Sequence, residues 1–135
     1  MTMDLTIRWT LLRRTAFWLL LFTWIWAPLV HAEDPPSLAG EYVCKGESEG
    51  KPYTFVLAIQ LHGESLHLQW IDGSEVVYKG LGIVQDGYLA ALSMSQKGGL
   101  ATVIYKIVPN GLEGSWTNGG PERFPEVCQK RRGNL

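Results

Sequence analysis

The sequence has few of the side chains that most often carry catalysis or bind metals. Of its 135 residues, two are cysteines and three are histidines. Two thiolates alone make a poor zinc site, and a surface copper or zinc site at His62 and His67 would need further ligands. No serine stands in a nucleophile-elbow sequence, and no glycine-rich loop has phosphate-binding spacing. The sequence therefore gives no support for an enzyme, a bound metal or another cofactor.

The charge balance gives no sign of a nucleic-acid partner either. The formal net charge is −1, and three of the arginines precede Ala32, so the remainder of the chain is more acidic. Domains that bind nucleic acid instead carry basic patches. We expect the carboxylates to lie at outward positions and in turns. Glu47 and Glu49 are interpreted as part of a solvated turn, not as an acid–base pair.

Long apolar runs are also absent, except for one from Ala16 to Val30 that follows the three arginines. A positive region, an apolar run and a small residue such as Ala32 are the parts of a secretory signal peptide. The run is shorter than the ~20 residues that a spanning helix needs, which favours cleavage over an uncleaved anchor. We therefore predict a signal peptide over residues 1–32, membrane contact only during export, and a periplasmic or secreted protein.

The remaining chain of about 100 residues suits one domain. Residues 33–37 form a polar lead-in that contains two prolines, and residues 38–135 form the predicted domain. Apolar residues in this domain recur at every second position, as in half-buried β-strands, and no segment has a convincing helical stripe.

The clearest hairpin lies between Pro52 and Gly73. A two-residue turn at Gly63-Glu64 fits the type II′ preference for glycine at the first position. This turn makes the apolar faces of both strands coincide, as a half-buried antiparallel pair requires. The pairs that it predicts are Leu61 with Leu66, Ile59 with Leu68, and Leu57 with Trp70.

Two later turns set the register of the following strands. A three-residue loop from Asp72 to Ser74 places the apolar side of the next segment inward. The residues that it directs inward are Val76, Tyr78, Gly80 and Gly82. Asn110-Gly111 is a strong signal for a type I′ turn. That turn predicts the pairs Ile107 with Gly114, and Tyr105 with Trp116.

Seven strands are clear and an eighth is possible, all joined by short connections. This pattern is typical of a sandwich or a barrel, and sequential hairpins favour a small antiparallel up-and-down barrel of seven or eight strands, calycin-like in form. A closed barrel places the first and last strands side by side. The motif Leu-x-Gly-x-aromatic occurs near both ends of the domain, with Tyr42 and Trp116 as the aromatic residues. We predict a disulfide between Cys44 and Cys128 that joins the two ends.

The inward face is rich in rings that also carry a polar group. A small barrel lined in this way either holds a ligand or is filled by its own side chains, and both alternatives stay open. The candidate ligand-lining residues are Tyr42, Tyr53, Trp70, Tyr78, Tyr105 and Trp116. The outer face holds more apolar residues than a monomer usually exposes, which indicates a protein partner or a homodimer. These outer residues are Val77, Leu81, Ile83, Ile104 and Val108.

Four short sequences resemble a group of small secreted bacterial proteins, some loosely labelled fibronectin-binding. The matching sequences are GEYVCKG, YKGLGI, GLATVIYKI and GLEGSWT. They cover most of the domain. The resemblance implies a secreted β-barrel and names no site residues.

A second resemblance is to the periplasmic inhibitors of C-type lysozyme, which are eight-stranded barrels. It depends on Tyr42, Cys44 and Cys128 and on KGGLA, which is similar to part of the inhibitory loop. The aromatic residue that should precede this loop is absent. The resemblance implies that Lys97 and Gly98 belong to a loop that binds a protein partner.

Three hypotheses follow. The first is a non-enzymatic extracytoplasmic protein that binds an unknown protein or a component of the cell envelope. The second is a lysozyme inhibitor that inserts Lys97 into an acidic cleft. The third is a carrier of a small ligand in an aromatic-lined cavity.

Overall fold

The computed structural model describes residues 37–133, and it contains eight β-strands and no helix in that range. The predicted signal peptide and most of the lead-in lie outside the described residues. No helix that could cross a membrane is present between residues 37 and 133. The strands are β1 (Gly40–Ser48), β2 (Lys51–His62), β3 (Ser65–Asp72), β4 (Glu75–Gln85), β5 (Tyr88–Ser95), β6 (Leu100–Val108), β7 (Gly111–Thr117) and β8 (Phe124–Lys130).

The strands form one closed antiparallel barrel. Each strand pairs with the next along the chain, and β1 also pairs with β8. Closure leaves no strand with an unpaired edge. The prediction of an up-and-down barrel is confirmed, and the alternative of a sandwich is wrong.

The predicted disulfide is present and joins the first strand to the last. Cys44 lies directly opposite Cys128 in the pairing of β1 with β8, and their sulfur atoms are bonded. Both side chains are buried. A disulfide is compatible with an oxidising compartment outside the cytoplasm.

The register of β2 and β3 is the one that the sequence predicts. Leu61 pairs with Leu66, and Leu57 pairs with Trp70. Gly63 has a φ of 60°, which suits the first position of a type II′ turn. Leu61 lies at the end of its strand and is half exposed, whereas Leu57 and Leu66 are buried.

The connection from β3 to β4 differs from the predicted three-residue loop. The turn has two residues, because Asp72 pairs with Glu75. A β-bulge then shifts the register, so that Trp70 pairs with Tyr78. Because a bulge contains one extra residue, the residues that follow it lie on the opposite face from the one that the two-residue turn alone would give. Tyr78 therefore still points inward, as predicted. Val77 lies in the bulged region and packs against the core, so its predicted outward position is wrong.

The turn between β6 and β7 is displaced from the predicted Asn110-Gly111 position. Val108 pairs with Gly111, so the turn consists of Pro109 and Asn110. Asn110 has a φ of 61°, and proline followed by a residue of positive φ is typical of a type II turn. The register therefore shifts by two positions, and Tyr105 pairs with Gly114. A shift of two leaves every side chain on its predicted face.

The interior of the barrel has two different halves. In the half near the β2–β3, β4–β5 and β6–β7 turns, aliphatic residues fill the space. These are Leu57, Ile59, Leu66, Leu68, Leu89 and Leu112, all buried. Tyr42 is buried in the same half, and its hydroxyl donates a hydrogen bond of 2.9 Å to the Leu38 carbonyl oxygen. The other half contains most of the aromatic side chains.

We predict that removing the disulfide lowers the free energy of unfolding by about 4 kcal/mol. The bond joins residues 84 positions apart in sequence, and a cross-link over a loop of that length restricts the unfolded chain by about this amount. The Cys44→Ala/Cys128→Ala variant tests this in a urea titration. Alanine avoids placing a hydroxyl in the buried site. As a control, a reducing agent should leave the urea midpoint of this variant unchanged, because the variant has no disulfide to reduce. An unchanged urea midpoint after loss of the disulfide would contradict the prediction.

Candidate ligand-binding cavity

The aromatic half of the barrel contains a cavity of about 230 Å³. It lies near the β1–β2 and β3–β4 turns and the connection from β5 to β6. Its lining consists of Ser48, Tyr53, Phe55, Trp70, Tyr78, Ser93, Ala101, Val103, Tyr105, Trp116 and Glu126. Tyr53, Tyr78 and Trp116 are partly exposed, whereas Tyr105 and Glu126 are buried. The cavity therefore opens at the turns and closes at Glu126.

Most of the candidate ligand-lining residues meet in this cavity. Tyr53, Trp70, Tyr78, Tyr105 and Trp116 all line it. Tyr42 does not, because it lies in the aliphatic half near the start of β1. The two copies of Leu-x-Gly-x-aromatic thus place their aromatic residues inside the barrel at opposite ends.

Glu126 is the functional candidate that the sequence reasoning missed. Its side chain is 3% exposed, although we expected all carboxylates at outward positions and turns. The signal was its position two residues before Cys128. Side chains two residues apart on a strand share a face, so an inward Cys128 requires an inward Glu126.

Tyrosine hydroxyls on two other strands hold the Glu126 carboxylate. Tyr53 donates a hydrogen bond of 2.8 Å to Oε2, and Tyr105 donates one to Oε1. The indole Nε1 of Trp116 donates to the Tyr53 hydroxyl at 2.7 Å. Side chains of β2, β6, β7 and β8 thus form one connected network at the closed end of the cavity.

Glycines flank Glu126 on both neighbouring strands. Gly46 on β1 and Gly114 on β7 are the direct pairing partners of Glu126. A Cβ atom at Gly46 would overlap the Tyr53 hydroxyl, and one at Gly114 would overlap the Ile104 carbonyl oxygen. The absence of a side chain at Gly46 lets the Tyr53 hydroxyl reach Glu126, and its absence at Gly114 lets the backbones of β6 and β7 approach closely.

Burial changes the acid–base properties of all three groups. Desolvation raises the pKa of Glu126, while the hydrogen bonds from Tyr105 and Tyr53 act in the opposite direction. Desolvation and the nearby Glu126 charge raise the pKa values of Tyr53 and Tyr105 above the ordinary value for tyrosine. Both tyrosines therefore stay protonated, as hydrogen-bond donors, throughout the pH range in which Glu126 ionises.

No basic side chain within residues 37–133 forms an ion pair with Glu126. The ion pair found in that range joins Arg131 to Glu41 at 3.0 Å, and both of its side chains are exposed. Glu126 is also the one charged residue in the cavity lining. When it is ionised, the cavity has a negative potential that no protein cation balances.

The described residues offer poor metal ligands. Ligand atoms of Cys44, Glu126 and Cys128 lie within 4.8 Å of one another. The two sulfur atoms form the disulfide, so neither is a thiolate that could bind a metal. His62 and His67 are exposed, with ring centroids 4.4 Å apart. Within the described residues, this histidine pair belongs to no group of three or more metal-binding side chains.

Lys97 and Gly98 lie in the connection between β5 and β6. Gly98 has a φ of 84°, and its amide donates to the Ser95 carbonyl oxygen at 3.0 Å. Both residues are exposed at the end of the barrel where the cavity opens. Their predicted role in binding a protein partner stays a prediction.

The outer face of β4, β5 and β6 is largely apolar. Leu81 pairs with Leu92 across β4 and β5, and Ala90 pairs with both Ile83 and Ile104. The exposed members of this outer apolar face are Leu81, Ile83, Leu92, Met94, Leu100 and Ile104. The outward positions of these three strands, all within the described residues, include Lys79 and Lys106 and no carboxylate.

In comparisons with known proteins, no protein-family model, no curated protein and no solved structure matches the chain.

We predict that the stability contributed by Glu126 falls as pH rises. Its pKa is raised in the folded state, so its contribution is fully present below the ordinary glutamate pKa of about 4.3. It is lost as pH rises through the folded-state value, because the unfolded chain ionises first. Relative to the Glu126→Gln variant, the wild-type protein should thus become less stable between pH 4 and neutral pH.

Urea titrations of both proteins at several pH values provide the measurement. The matched control is Glu113→Gln, which changes an exposed carboxylate on the neighbouring strand β7. The difference in the free energy of unfolding between Glu113→Gln and the wild type should depend much less on pH. A wild-type protein that gained stability over Glu126→Gln as pH rose would overturn the argument.

Proposed function

We propose that the protein is a non-enzymatic extracytoplasmic binding protein that takes a small ligand into the aromatic cavity. The observation that carries this proposal is the unfilled space beside a buried carboxyl group. The aliphatic half of the same barrel is closely packed, so the small barrel size alone does not require a cavity. A structural core would gain stability by filling this space, since cavities lower stability.

The cavity has a suitable size and lining for a small organic molecule. A protein cavity of about 150 Å³ lined by apolar side chains holds benzene, and this one has about 230 Å³. Ligand sites are mostly apolar, with a few polar groups that fix orientation. Here aromatic rings supply the apolar surface, and Glu126, with its tyrosine donors, supplies the polar end.

The predicted signal peptide supports a role outside the cytoplasm. The sequence before Glu33 has the parts of a secretory signal peptide, and the disulfide between Cys44 and Cys128 suits an oxidising compartment. We therefore propose that the protein meets its ligand in the periplasm or after secretion.

We predict that filling the cavity abolishes ligand binding. Ala101 lines the cavity, so the Ala101→Phe variant places a ring in the ligand volume. The matched control is Thr102→Phe, because residue 102 is exposed and points outward from the same strand. Native mass spectrometry of gently purified exported protein should show an extra mass with the wild type and the control, and none with Ala101→Phe.

Tryptophan fluorescence provides the second readout for this prediction. Trp70 and Trp116 line the cavity, so a bound ligand should shift their emission. Failure of every small molecule in a broad screen to shift the emission, together with a bare native mass, would overturn the proposed carrier function.

A second candidate function is binding of a protein partner through the outer apolar face. This face brings six exposed apolar side chains together on three adjacent strands, and large exposed apolar patches mark interaction sites. Its outward positions hold two lysines and no acidic residue, which favours an acidic partner. Membrane-binding surfaces usually carry clusters of about four to eight basic residues, so a protein partner fits better than a lipid surface.

We predict that a photoreactive amino acid at position 92 forms a cross-link to one acidic protein in the source cell. The matched control is position 127, because Val127 is also exposed and apolar but lies on β8. The photoreactive amino acid at position 127 should form no cross-linked adduct. The adduct mass and its peptides identify the partner. An adduct to a second copy of this chain would replace the candidate with a homodimer, and adducts to lipid alone would overturn it.

A further inference from the structure

We propose that the cavity binds a small organic cation, an aryl-alkyl amine in chemical class, with its ammonium group beside Glu126 and its apolar part against the aromatic rings. This inference rests on the proposed carrier function, and it specifies the ligand of the same cavity. Four features of the site support it: an uncompensated charge, spare hydrogen-bond acceptors, the surrounding rings and the available volume.

The first feature is the unbalanced carboxylate at the closed end. Glu126 is buried, and no basic side chain within residues 37–133 forms an ion pair with it. A buried charge without a partner is costly, and hydrogen bonds from neutral hydroxyls offset only part of the cost. A ligand that brings a positive charge into the cavity supplies the missing ion pair.

The second feature is the acceptor capacity that the tyrosines leave unused. An ionised carboxylate has about four lone-pair positions. Tyr53 occupies one at Oε2, and Tyr105 occupies one at Oε1. Since Glu126 lines the cavity, a donor group in the cavity can use a remaining position. An ammonium group has up to three N–H donors and no acceptor, so it can donate to these unused positions.

Four hydrogen-bond donors of the lining already have acceptors. The Tyr53 and Tyr105 hydroxyls both donate to Glu126, and the Trp116 indole donates to Tyr53. The Ser93 hydroxyl donates to the Ala101 carbonyl oxygen at 3.2 Å. An anionic ligand would meet the negative charge of Glu126, which disfavours carboxylates and phosphates.

The third feature is the set of aromatic rings between Glu126 and the mouth. The negative face of an aromatic ring attracts a cation, most strongly when the site is shielded from water. The rings of Tyr53 and Trp116 meet edge to face, with centroids 6.4 Å apart, and Phe55 lies beside Tyr53 with centroids 5.1 Å apart. Trp70, Tyr78 and Tyr105 are the other aromatic residues of the lining. These rings attract both an ammonium group and an aromatic or alkyl tail.

The fourth feature is the volume, which sets the size of the ligand. A cavity of about 150 Å³ holds one benzene molecule, so the 230 Å³ found here has space for one ring and a short amine chain. Phenethylamine has this size and is protonated at neutral pH. 2-Phenylethanol has almost the same shape without the charge, and phenylacetate has the opposite charge.

The test compares these three probes by isothermal titration calorimetry on the full exported protein at neutral pH. We expect phenethylamine to bind about tenfold or more tightly than 2-phenylethanol, since an ammonium–carboxylate hydrogen bond is worth more than a neutral one. Phenylacetate should not bind measurably. In the Glu126→Gln variant, phenethylamine and 2-phenylethanol should bind with about equal affinity, and the affinity for 2-phenylethanol should stay close to that of the wild type. Glu113→Gln is the matched control and should keep the preference.

The pH dependence of binding to the wild-type protein is a second test that needs no variant. Lowering the pH should weaken phenethylamine binding as Glu126 gains a proton, and it should leave 2-phenylethanol binding unchanged. The titratable groups that face Glu126 are Tyr53 from β2 and Tyr105 from β6, and both stay neutral over this range. Its neighbours from β1 and β7, Gly46 and Gly114, do not titrate, and neither do Trp70, Trp116 and the disulfide.

The outcomes separate this inference from the function on which it rests. Equal binding of phenethylamine and 2-phenylethanol, or an amine preference that survives in Glu126→Gln, would overturn the cation inference and leave the carrier function standing. No binding of any of the three probes, together with a silent fluorescence screen, would overturn both. A preference for phenylacetate would show that Glu126 is protonated in the complex and would also overturn the inference.

Discussion

Closure of the barrel depends on one pairing, that of β1 with β8, because these are the first and last strands of the chain. Every other pairing joins strands that follow each other directly, with short turns between most of them. The β1–β8 pairing brings together segments about 80 residues apart, so it has the largest entropic cost of loop closure. The Cys44–Cys128 disulfide lies within this pairing and reduces that cost by restricting the unfolded chain.

The same closure creates the candidate site. Glu126 belongs to β8, and the tyrosines that donate to it belong to β2 and β6. These strands surround a common interior only when the sheet is closed. Gly46, on the flanking strand β1, leaves space for the Tyr53 hydroxyl to reach the carboxylate. The polar network, the negative potential of the cavity and its aromatic walls are therefore all consequences of closing the sheet.

The interior and the outer wall differ in chemistry. The cavity of about 230 Å³ is lined by aromatic rings and one buried carboxylate. The exposed outward positions of β4–β6 are largely apolar. Both features lie on the same strands, because Val103 points into the cavity while Ile104 points outward. Alternation along a strand thus allows one element to serve both surfaces independently.

The sequence by itself determined the fold class, the disulfide and the facing of β2, β3, β6 and β7, because alternating hydrophobicity and turn residues act locally. It predicted the β2–β3 register correctly, since Gly63 specifies one turn geometry. It misplaced the β6–β7 turn, because Pro109-Asn110 and Asn110-Gly111 are both good turn sequences and tertiary pairing selected between them. The bulge in β4 and the depth of Glu126 were decided only by the tertiary structure. Whether an inward position is packed or hollow depends on side chains that face it from across the barrel, and these lie far away in sequence.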